Sequence, residues 1–208
     1  MDLRTAIEES TFSTKLALIT ALAWAIVAVF NLQYWAYGFG GFIPLRFSGE
    51  LEIPGALPAI LTPLSATFLH ADFMHVGFNM LLLWFCGKGV ERAIGIRGIV
   101  VLYIFGAYVS AGGHYLFNAD EAGPMIGASG AVSAIVGAYA LLYSRPRNGR
   151  GGWVHVAQLA GAWILIQLLI GLSSWGSPMP IAIVAHIFGF VAGLALARPL
   201  LLWNYRDA

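Results

Sequence analysis

The sequence predicts an all-α polytopic membrane protein with six transmembrane helices. Of its 208 residues, 59% are hydrophobic and only 10% are charged, and the mean hydropathy is +0.78. This composition leaves too little polar surface to cover a water-soluble globule. Apolar runs also recur at lengths near the roughly 20 residues that a membrane helix needs. The six runs lie at about residues 16–32, 73–90, 98–117, 129–144, 154–172 and 181–203.

The first run is predicted to be a retained helix rather than a cleaved signal peptide. Both acidic and basic residues precede it, and no clear cleavage site follows before Gly38. The longest connection, residues 33–72, is rich in aromatic residues, glycine and proline, which is typical of a segment at the outer interface. Because no linker or internal repeat is evident, residues 1–208 are predicted to form a single membrane domain.

The placement of basic residues predicts that both termini are cytoplasmic. With a cytoplasmic N-terminus, ten of the eleven basic residues fall on the inner side, and Arg46 is the exception. A net charge of +1 favours no nucleic-acid partner, and the single cysteine, Cys86, excludes an intramolecular disulfide. Short tails without an organellar presequence favour a bacterial inner membrane.

A few polar side chains within the runs are the candidates for function, because such groups are costly in a bilayer. His75 and Asn79 are four residues apart and share one face of the second run. His186 lies about 7 to 8 Å into the sixth run, at ~1.5 Å per helical residue. Ser129 begins the short fourth run. We therefore expect polar groups from three helices to lie at one depth.

Small residues around these positions predict a close approach of the fourth and sixth helices. Gly127 and Gly130 flank the serine, and Gly189 and Gly193 follow the histidine at helical spacing. This packing would place the serine hydroxyl beside the imidazole. The histidine would then take the serine proton during attack and return it to the leaving amine.

Hydrogen-bond donors near Ser129 are expected to stabilise an oxyanion. The candidates are the Asn79 amide, the His75 ring, and the backbone N–H groups of Ala128 and Ser129 at the start of a helix. Since no intramembrane carboxylate stands near His186, the sequence predicts a dyad.

Three motifs together resemble those of the rhomboid intramembrane serine proteases. "FLHADFMHVGFN" is similar to the family's second-helix pattern, "GASG" to its nucleophile motif and "AHIFGFVAG" to its sixth-helix motif. They occur in the family's order, and the resemblance covers roughly residues 60–195. It implies hydrolysis of peptide bonds in or near the lipid bilayer, in single-pass transmembrane proteins. The resemblance also implies that no metal or organic cofactor takes part.

The chain departs from this pattern in two places. The Trp-Arg pair that members often carry in the first outer loop is missing. Many members also have an aromatic residue four positions after the nucleophile, where this chain has Ser133; its hydroxyl becomes our candidate for orienting His186.

Access to a submerged serine requires an element that moves. The fifth run and the loop after it supply the candidates for a gate, although interfacial anchoring explains Trp175 equally well. The candidates are Trp163, Gln167, Trp175 and Met179.

Two other functions are compatible with a six-helix chain. An inactive rhomboid-like protein would bind membrane clients without cutting them, but the presence of both Ser129 and His186 argues against it. A small transporter or proton channel would be expected to carry a carboxylate or a pair of broken helices at the bilayer midplane, and the sequence shows neither.

Overall fold

The computed structural model describes residues 11–144, 152–173 and 182–206, and these residues form α-helices with short connecting turns. The all-α prediction is confirmed for this part of the chain, where strand-like pairing is limited to one isolated bridge between Phe42 and Met125. Short 3₁₀ turns lie at Ala59–Leu61 and Ala66–Phe68. The helices are α1 (Phe12–Val29), α2 (Gln33–Gly40), α3 (Pro44–Phe47), α4 (Thr62–Ser65), α5 (Phe73–Phe117), α6 (Ser129–Leu142), α7 (Gly152–Ser173) and α8 (Ile183–Asn204).

Three of the described helices, α1, α5 and α8, are each long and apolar enough to cross a membrane. With 45 residues, α5 is about twice as long as a single crossing needs. With 14 residues, α6 is short, as the sequence predicts. The first helix begins at Phe12, four residues before the predicted run, because the Thr11 side chain accepts a hydrogen bond from the Thr14 N–H and caps it.

Gly95 divides α5 into two helices, which correspond to the second and third predicted runs. Its φ of +72° lies in the left-handed region that glycine adopts without steric cost. His75 lies before this break and against Gly127, whereas Ser110 lies after it and against Gly130. Since both contacts are at the start of α6, the chain reverses direction between them.

The core is centred on α6, which is enclosed by α5 and α8. Nine of its fourteen residues are buried, so this helix presents little surface to the surroundings. A Cβ atom on Gly193 of α8 would collide with the backbone carbonyl of Ala134, and one on Gly137 would collide with the carbonyl of Phe190. The two helices therefore touch backbone to backbone, as small residues permit.

The connection between α1 and α5 folds against the loop that precedes α6. Phe42 exchanges two backbone hydrogen bonds with Met125, at 3.0 and 2.7 Å. The Gly127 N–H donates to the Ala66 carbonyl at 2.9 Å. These bonds fix the path of the chain into Ser129.

Glu91 joins the start of α1 to α5. Its carboxylate is only 7% exposed and accepts bonds from the Phe12 N–H (2.8 Å), the Ser13 N–H (2.8 Å) and the Ser13 hydroxyl (2.6 Å). The first N–H groups of a helix have no acceptor within the helix, and a negative charge there also complements the helix dipole. The buried carboxylate thus fixes the position of the α1 N-terminus.

We expect Glu91→Gln to lower the free energy of unfolding by about 2–4 kcal/mol, because an amide carries no charge and has one oxygen where the carboxylate has two. Thermal unfolding in detergent would measure the loss. Arg92→Gln changes the exposed neighbour and is the matched control, expected to stay within about 0.5 kcal/mol of wild type. Equal stability of the two variants would contradict the capping role.

Candidate active site

Ser129 is the first residue of α6, and Gly127, two positions before it, has a backbone conformation that favours glycine. Gly127 has a φ of +116°, and a Cβ atom there would lie 2.6 Å from His75 Nε2. The absence of a side chain at this position lets the His75 ring approach the loop directly. Ser129 itself is partly exposed between the buried residues Ala128 and Gly130.

The Ser129 hydroxyl and the His186 imidazole are in hydrogen-bond contact. Ser129 Oγ lies 2.7 Å from His186 Nε2, although the two residues are 57 positions apart in the chain. His186 lies in the first turn of α8 and is 7% exposed. This separation is within the range that direct proton transfer from a nucleophile to a general base requires.

The other nitrogen of the His186 ring contacts α7. Nδ1 lies 2.6 Å from Gln167 Oε1, and the Gln167 side chain is 5% exposed. Because an amide oxygen can only accept, this bond places the ring proton on Nδ1. Nε2 is then left without a proton and can accept from Ser129.

The structure corrects the expectation for Ser133. Its hydroxyl donates to the Ser129 carbonyl at 2.7 Å, one turn back along α6, and Gln167 takes the place beside His186 that we had given to Ser133. A short hydroxyl side chain within a helix readily bonds to the carbonyl four residues before it, which explains the difference.

His75 and Asn79 are four residues apart on one face of α5, and the His75 ring lies against Gly127 in the loop before Ser129. The Ala71 N–H points to His75 Nδ1 at 3.5 Å, an orientation that leaves the proton on Nε2, the atom that faces Gly127. Asn79 is buried, and its Nδ2 donates to the His75 carbonyl at 2.8 Å. The amide group has a second N–H to offer.

His70 accepts a hydrogen bond from the Ala128 N–H, which is one of the two backbone donors expected at the oxyanion site. The Ala128 N–H donates to His70 Nε2 at 3.3 Å, so that this donor is already engaged. His70 is 1% exposed, and burial, with the nearby His75 ring, lowers the pKa of His70 to about 3. The ring therefore stays neutral and keeps its acceptor at physiological pH. The Ser129 N–H lies in the first turn of α6, where no intrahelical acceptor exists.

The candidate gate residues are only partly described. The Trp163 ring stacks on Phe190 of α8 with centroids 6.5 Å apart, and Gln167 contacts the His186 ring. Trp175 and Met179 lie outside the described residues.

The chain is similar to known proteins over much of its length. The Rhomboid domain family model matches residues 59–203. A curated relative, Rhomboid protease GlpG of Klebsiella pneumoniae subsp. pneumoniae, is 33% identical over 137 residues, which are 64% of this chain and 46% of the relative. Rhomboid protease GlpG of Yersinia pseudotuberculosis serotype I is 30% identical over 147 residues, 69% of this chain and 48% of the relative. The chain spans about half the length of these relatives.

The helical bundle and its long apolar helices define an integral membrane protein of the all-α class. Within that class the chain belongs to the rhomboid family, because the family model covers more than two thirds of its length.

Proposed function

We propose that this protein is an intramembrane serine endopeptidase that uses Ser129 as nucleophile and His186 as general base. The 2.7 Å contact between Ser129 Oγ and His186 Nε2 carries the proposal. The hydroxyl oxygen attacks the peptide carbonyl carbon while its proton passes to Nε2. The tetrahedral intermediate collapses when His186 returns that proton to the leaving amine, and Ser129 keeps the acyl group. Water then attacks the ester carbonyl carbon while His186 takes its proton, and His186 returns that proton to Ser129 Oγ as the carboxylic acid product leaves.

Three donors are proposed to stabilise the oxyanion: the Ser129 N–H, the Nε2–H of His75 and the second amide N–H of Asn79. The orientation of His75 Nε2 toward the Ser129 loop supports this assignment. The Ala128 N–H would join them only by leaving His70. Donors fixed in place before the reaction stabilise developing charge without the cost of reorganisation.

The proposed membrane arrangement has six spans with both termini in the cytoplasm. The reversal of the chain at Gly95 supplies two spans, one from each of the two helices that make up α5. The bias of basic residues then places the Ser129 end of α6 toward the outer side. The proposed location is a bacterial inner membrane, in line with the bacterial relatives.

The proposed substrates are single-pass transmembrane proteins whose outer segments contain small or helix-weakening residues. A peptide bond must be in an extended, accessible conformation to reach Ser129, and a stable helix hides its carbonyls in hydrogen bonds. The proposed route to the serine passes α7, because most of its described side chains between residues 157 and 166 are exposed.

The test is cleavage in proteoliposomes. The purified protein is reconstituted with a single-span model substrate that carries a Gly/Ala/Ser-rich outer segment, and a version with a leucine-rich segment serves as the control. We expect a new N-terminus, located by mass spectrometry, within or next to the first segment only. Stable capture of the substrate without cleavage would overturn the proposal and favour a client-binding protein.

A further inference from the structure

We infer that Gln167 is a positioning residue that holds the His186 ring in the orientation required of a general base. The inference rests on the proposed function, and it assigns to α7 the positioning of the general base.

The geometry is that of a three-member hydrogen-bonded chain across three helices. Ser129 Oγ on α6 lies 2.7 Å from one nitrogen of His186, and Gln167 Oε1 on α7 lies 2.6 Å from the other. An imidazole bonded at both nitrogens cannot rotate or exchange its proton without breaking a bond. Without an acceptor, the buried Nδ1–H would carry the cost of an unsatisfied donor.

The burial pattern of α7 supports this role. Among the side chains of α7 whose exposure is described, only Val156 and Gln167 are buried. The other buried side chain is apolar, as packing against a helical bundle requires. A buried amide among described side chains that are mostly exposed is explained by its partner, His186.

An uncharged acceptor suits a buried site of this kind. When His186 takes the proton from Ser129, the ring becomes cationic and its Nδ1–H donates more strongly to the amide oxygen. A carboxylate at this position would orient the ring equally well, but its charge would be costly to bury in the resting protein. Among the described residues, His75 on α5 is the other titratable group that interacts electrostatically with His186.

The variants Gln167→Leu and Gln167→Glu test the inference, and Gln158→Leu is the matched control because Gln158 is an exposed glutamine on the same helix. In proteoliposomes we expect Gln167→Leu to lower kcat by about 10- to 100-fold with little change in KM, because the base is misoriented while substrate binding is intact. Gln158→Leu should match wild type.

Gln167→Glu is expected to recover much of the loss and to move the acid limb of the pH profile of kcat to higher pH. A carboxylate restores the acceptor and also favours the protonated form of His186, so the base is lost at a higher pH. A merely structural role for Gln167 would not move that limb.

Nitrogen-15 NMR of the His186 ring in the wild-type protein adds a measurement that does not depend on how a variant folds. We expect the proton on Nδ1, and a proton on Nε2 in the resting state would overturn the inference. If the Gln167→Leu variant had the kcat of the wild type, or if only its KM rose, this inference would be overturned and the proposed function would stand. A folded wild-type protein that neither cleaves nor reacts with a fluorophosphonate would overturn both.

Discussion

Ser129→Ala is expected to abolish both peptide-bond cleavage and covalent labelling by a fluorophosphonate probe. The probe reacts with a serine oxygen whose proton a nearby base can remove, and alanine has no such oxygen. His186→Ala should reduce both activities by about 10⁴-fold or more, because the 2.7 Å contact that removes the proton is lost. Losing either partner should cost about as much as losing both, since they act as a unit.

Detergent-purified protein and in-gel fluorescence are sufficient for this measurement. Ser133→Ala is the matched control, because it removes a hydroxyl one turn further along the same helix that bonds to a backbone carbonyl and not to His186. We expect its labelling to stay within a few-fold of wild type. Labelling that survives in Ser129→Ala, or that disappears equally in Ser133→Ala, would contradict the assignment of the nucleophile.

Gly193→Ala is expected to destabilise the protein by about 2–3 kcal/mol and to weaken labelling. The added methyl group would collide with the Ala134 carbonyl on α6. A backbone carbonyl within a helix cannot relieve the clash by changing rotamer, as a flexible side chain can. The helices must therefore separate, and Ser129 moves away from His186.

The same substitution at Gly112 of α5 is the control, because a Cβ atom there meets nothing within 4 Å. In a helix interior, alanine is more favourable than glycine by up to about 1 kcal/mol, so Gly112→Ala should be neutral or stabilising. Thermal unfolding of both variants gives the comparison. If Gly193→Ala were as stable as Gly112→Ala, the close contact between α6 and α8 would be wrong.

The meeting of Ser129 and His186 could be anticipated from the sequence because several signals agree. Glycines at helical spacing on both helices allow close packing, and the cost of polar groups in a bilayer limits the candidates to a few positions. The break near Gly95 could also be predicted, because charged residues and glycines interrupt the apolar pattern there.

The partners of Gln167, Glu91 and His70 could not be predicted in this way. The bond from Gln167 joins different helices, and α7 is apolar on all sides, so that the sequence does not indicate which side faces His186. The Glu91 carboxylate binds N–H groups 78 and 79 residues away. Because every residue except proline has a backbone N–H, the sequence does not indicate which of them a carboxylate will bind. The same holds for the Ala128 N–H that binds His70.

In the proposed enzyme, the backbone contact between α6 and α8 would affect how substrates are distinguished. Ser129 and His186 lie on two helices that cannot separate easily, whereas Gln167 lies on α7, whose described side chains are mostly exposed. A substrate that displaces α7 as it enters would leave Ser129 and His186 in contact, but it would move Gln167 away from His186 Nδ1. Full reactivity would be restored only by a substrate segment that allows α7 to move back against His186. Selection among the many helices in a membrane would then take place after binding, by induced fit.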